Sequence, residues 1–68
     1  MINLTVKDMK RYRPTKEATL AWDVIQKAGA VKKFVRLMNK WYDKGITFED
    51  VNDQLQFEHE SVIAELDI

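Results

Sequence analysis

No cysteine occurs in the 68 residues, which excludes a disulfide scaffold, a thiolate zinc site and a cysteine nucleophile. Glycine is confined to Gly29 and Gly45 and proline to Pro14, so no phosphate-cradling glycine loop and no low-complexity linker is present. Histidine and serine occur once each, as His59 and Ser61. A lone histidine rules out paired-histidine metal spacing, and a two-residue offset does not place Ser61 beside a base on a helix. Glu58 and Glu60 flank His59 but diverge on a helix, so His59 is expected to be a half-buried packing residue. A solvated acidic face accounts for Glu49, Asp50 and Asp53 without acid–base chemistry. No enzyme activity, cofactor or metal is expected. No apolar run is long enough to span a membrane, and residues 1–5 lack the basic and apolar regions of a signal peptide. The expected location is cytoplasmic.

What is present suits one small folded domain over residues 1–68: 46% of the chain is apolar and 32% charged. A chain of this size buries roughly 7,000 Å² on folding. At ~25 cal/mol per Å² of apolar area, that contributes on the order of 100 kcal/mol. Ordering the residues costs about as much, at ~1.5 kcal/mol each. With no disulfide, the expected remaining support is a partner or a second copy of the chain, as a homodimer or higher oligomer.

Charge is balanced only on average. All eleven Lys and Arg lie in residues 1–46 beside four acids, a balance of +7, and residues 47–68 carry seven acids and no base. The acidic segment is expected to fold back on the basic one and neutralise it, held mostly by its own apolar face.

The periodicity predicts an all-α fold of three helices. Leu4-Thr5-Val6-Lys7-Asp8-Met9 and Ile46-Thr47-Phe48-Glu49-Asp50-Val51 share one pattern: a threonine N-cap, an aspartate three residues later, and flanking apolar residues spaced for a hydrophobic staple. The first helix spans 5–12 and stops before Arg13-Pro14. The second, capped by Thr15, covers 15–44 and is either long or broken at Gly29. Gly45 ends it, and an acidic helix over 47–66 packs back antiparallel. Phe48, Val51, Leu55, His59, Val62, Ile63 and Leu66 form the stripe of that last helix.

Two binding readings follow. In the first, the chain is a small nonenzymatic regulator or inhibitor that binds another protein, of the kind phages and mobile elements encode. Trp22, Phe34, Trp41 and Tyr42 are more large rings than a small core requires, and such rings anchor protein interfaces. Glu49 and Asp53 are the acidic contacts for a basic partner. In the alternative, residues 21–39 form a helix-turn-helix with Gly29 in the turn and Val24, Ala28, Ala30, Val35 and Met38 at the packing positions. The recognition helix then lies within 31–44, and Lys32, Lys33, Arg36, Asn39 and Lys40 meet DNA phosphates and base edges. Ile25 departs from this motif, which takes a small residue where its helices cross.

The segment Met38-Asn39-Lys40-Trp41-Tyr42-Asp43-Lys44 resembles a stretch of the Hha/YmoA family, small all-helical bacterial regulators that modulate gene expression through a nucleoid-associated protein partner. The resemblance covers seven of 68 residues and extends to neither side, so it assigns no residue a role.

Overall fold

A threonine precedes three of the helices and gives each its first side-chain acceptor. The structure, a computed structural model, describes residues 3–68. Its helices are α1 (Val6–Met9), α2 (Lys16–Lys27), α3 (Val31–Trp41), α4 (Phe48–Phe57) and α5 (His59–Leu66). The described residues contain no strand, so the all-α class holds, but in five helices instead of three. Both expected capping boxes form. Asp8 N–H donates to Thr5 Oγ1 at 3.2 Å and Thr5 N–H to the Asp8 carboxylate at 3.0 Å. Thr47 and Asp50 repeat the exchange at 3.2 and 2.9 Å. Hydrogen bonds from Thr5, side chain first and backbone second, together with Arg11, hold the Asp8 carboxyl below its ordinary range. The apolar residues flanking these caps, Leu4 with Met9 and Ile46 with Val51, all join the one core.

Gly29 breaks the central helix. Its N–H donates to the Gln26 carbonyl at 3.1 Å, and Ala30 N–H donates to the Ile25 carbonyl at 3.0 Å. With Gly29 at φ +67°, this is a Schellman ending, which satisfies carbonyls that α2 would leave open. Ile25 and Ala30, the residues this motif brings together, are both buried. A Cβ at position 29 meets nothing within 4 Å, so substitution there is penalised by conformation alone. Gly29→Ala is expected to destabilise the fold by about 1–2 kcal/mol. Urea unfolding should show this as a lower midpoint at unchanged slope; a stabilised variant would contradict the left-handed turn.

The expected helix over 47–66 is also divided, at Glu58 (φ −124°, ψ 25°). No glycine or proline marks this site, and the cause lies in packing. A straight helix of that length would run about 30 Å, more than the longest dimension of a molecule measuring 28 × 23 × 21 Å. The bend instead lets α4 pack chiefly against α2 while α5 turns onto α3. The antiparallel pairing expected across Gly45 is therefore replaced by these two contacts.

Val51, Leu55, Val62 and Leu66 from α4 and α5 close the core over Ile25, Phe34 and Met38. Tyr12 lies edge-on to Trp22 with ring centroids 5.4 Å apart, and Trp22 contacts Phe34 at 5.6 Å. Asn52 on α4 fixes the segment before α2, accepting from the Tyr12 hydroxyl and from Thr15 N–H. Burial pushes the Tyr12 phenol up to about 12.

Candidate functional site

The aromatic surface expected from sequence does not assemble. Trp22 and Phe34 are buried and hold α2 to α3, so neither presents a contact surface. Tyr42 is half-buried and its hydroxyl accepts from Gln54 Nε2 at 2.8 Å. Of the four rings only Trp41 reaches solvent substantially, at 38% exposure. Glu49 and Asp53 are exposed on α4.

The apolar surface lies elsewhere. α2 turns Ala18, Ala21, Trp22 and Ile25 inward, and this leaves Leu20 79% and Val24 41% exposed on its flank. Beside them runs an open groove of about 220 Å³, lined by Glu17, Leu20, Ala21 and Val24 of α2 and by Leu55, Gln56, His59 and Ile63 of α4 and α5. Five of the eight lining residues are aliphatic. No Lys or Arg lines it; Glu17 does, and Glu58 and Glu60 flank His59 in sequence. His59, at the start of α5, is exposed and not half-buried.

This rotation of α2 also changes the helix-turn-helix reading. The turn at Gly29 is present, and Ala30, Val35 and Met38 are buried where the motif requires it. Val24 and Ala28 are exposed, however, and Ile25 is fully buried in their place. Packing against α4 selects a face of α2 about one residue away from the motif's register. The Asn39 amide is engaged within the fold. Its Oδ1 accepts from Leu4 N–H at 2.9 Å and its Nδ2 donates to the Leu4 carbonyl at 2.8 Å, which ties the N-terminal segment to α3. Lys32, Lys33, Arg36 and Lys40 are exposed on α3.

The acidic helices reach the basic half through apolar contact and not through ion pairs. α4 and α5 dock through their apolar faces as expected, but among the described residues the one salt bridge is local, Arg11 to Asp8 at 3.1 Å. Among the described residues no carboxylate of α4 or α5 lies within salt-bridge distance of a Lys or Arg. No described helix is long and apolar enough to cross a membrane.

Sequence reading missed both the groove and the Asn39 tie. Leu20 and Val24, four residues apart on one helix, are the signal for the groove, but core residues share that spacing. Neither protein-family models, curated proteins nor solved structures give a match to this chain.

Proposed function

We propose that the chain is a small nonenzymatic regulator or inhibitor that holds an amphipathic, basic helical segment of another protein in the groove between α2 and α4–α5. The observation that carries this reading is the pair of exposed aliphatic side chains, Leu20 and Val24, in a groove lined mostly by aliphatic residues. Leaving this apolar surface in water is unfavourable at ~25 cal/mol per Å², and a helix laying its apolar stripe along the groove removes it from water. Charge selects the partner's chemistry. Glu17 is the one carboxylate in the lining and no Lys or Arg is there, so a basic flank on the incoming helix is favoured and an acidic one repelled.

The pair Leu20→Gln and Val24→Gln tests this without disturbing the fold, because exposed substitutions stay within about 0.5 kcal/mol. The probe is a fluorescent Leu/Lys peptide with leucines at helical spacing, set against a scrambled peptide of the same composition. The patterned peptide is expected to bind the parent chain, and the variant at least tenfold more weakly. Equal binding of both peptides, or of both proteins, would contradict the proposal. Sedimentation of the parent alone covers the other occupant: a dimer that the variant abolishes would assign the groove to a second copy instead.

A further inference from the structure

We infer that Lys32, Lys33, Arg36 and Lys40 form a surface on α3 that binds the phosphate backbone of duplex DNA without reading its sequence. At ~100° per residue the four cations fall within about 100° of the helix circumference. They span about 12 Å along the axis, at 1.5 Å per residue. All four are exposed, and none has a carboxylate within salt-bridge distance among the described residues. The chain's acids are concentrated in α4 and α5, yet α5 packs on α3 without pairing with the stripe. The placement also runs against local stability. Lys32 and Lys33 stand in the first turn of α3, where positive charge opposes the helix dipole, and no acid in that turn offsets them. A bound phosphate supplies the missing negative charge.

Burial determines how α3 meets the duplex. Phe34, Val35, Leu37 and Met38 occupy much of the rest of its circumference, inside the core. The helix therefore offers the duplex a single exposed stripe, made of these four cations. Asn39, its one amide side chain, is already paired with the Leu4 backbone. Contacts to phosphate without base discrimination are what this arrangement provides. An anionic membrane is a poorer fit, because interfacial helices need an exposed apolar face beside their cations and the apolar face of α3 is buried. None of the four residues lines the α2/α4–α5 groove, so this surface stands or falls separately from the proposed protein site.

The test is anisotropy of a labelled duplex titrated with the full chain over a range of salt. Up to four phosphate contacts should give a log–log salt slope near −3.6 and weaken binding about a hundredfold between 50 and 200 mM. Arg36→Gln with Lys40→Gln should lower affinity at least tenfold and flatten the slope by about 2. The pair Lys16→Gln with Lys27→Gln removes the same charge from α2 and should change affinity less than threefold. Duplexes of unrelated sequence should bind equally. Equal losses from the two pairs, no binding at low salt, a tenfold preference for one duplex, or retention on phosphatidylserine vesicles in place of DNA would each overturn the inference.

Discussion

Phe34→Ala is expected to remove most of the stability of this domain. The side chain is fully buried, contacts Trp22 at a centroid distance of 5.6 Å, and belongs to the core that α4 and α5 close. Truncating a buried phenylalanine costs about 3–5 kcal/mol, through lost transfer energy and the cavity left behind. A domain of this length has roughly 3–10 kcal/mol in total, at 0.05–0.15 per residue. The variant should therefore unfold at much lower urea, or be largely unfolded in buffer by circular dichroism. Trp41, by contrast, is 38% exposed, and Trp41→Ala should cost clearly less. If the two variants lost stability equally, the placement of the rings would be wrong.

Asn39→Ala should give the next largest loss, about 2–3 kcal/mol. The substitution deletes two hydrogen bonds to Leu4, each worth about 0.5–1.5 kcal/mol, and leaves a part-buried N–H and carbonyl without protein partners. Leu4 is itself buried, so losing its anchor loosens the start of the chain along with the bond. Amide exchange locates the effect. Protection should fall first at Leu4 and through α1, while Leu55 in α4 still reports global unfolding. A variant as stable as the parent would show that water replaces both bonds at no cost.

The two variants mark what could and could not be read from sequence. Thr5, Thr15 and Thr47 announced helix starts because a cap is local chemistry, complete within four residues. Gly29 was readable only as a choice between a break and a close approach, and the left-handed φ decides it. The bend at Glu58 has no local signal, since it answers the different directions in which α4 and α5 find partners. Periodicity placed Trp22 and Phe34 on helical stripes but could not say how much of each stripe the other helices would cover. For the same reason it could not distinguish Leu20 and Val24, left in water, from Ala21 and Ile25 beside them. Asn39, polar on a basic helix, had the appearance of a base reader. Its partner lies 35 residues earlier, and nothing near Asn39 in sequence points to Leu4.

The groove is the centre of this account, and methyl-resolved NMR tests it most directly. With Leu, Val and Ile methyl groups labelled, the patterned Leu/Lys peptide is titrated against the full chain. Leu20, Val24, Leu55 and Ile63, contributed by three helices, are expected to shift together along one saturating curve. Val35 and Leu37 on α3 should stay within the scatter. Shifts confined to other methyl groups, or equal shifts with the scrambled peptide, would contradict a binding site between α2 and α4–α5.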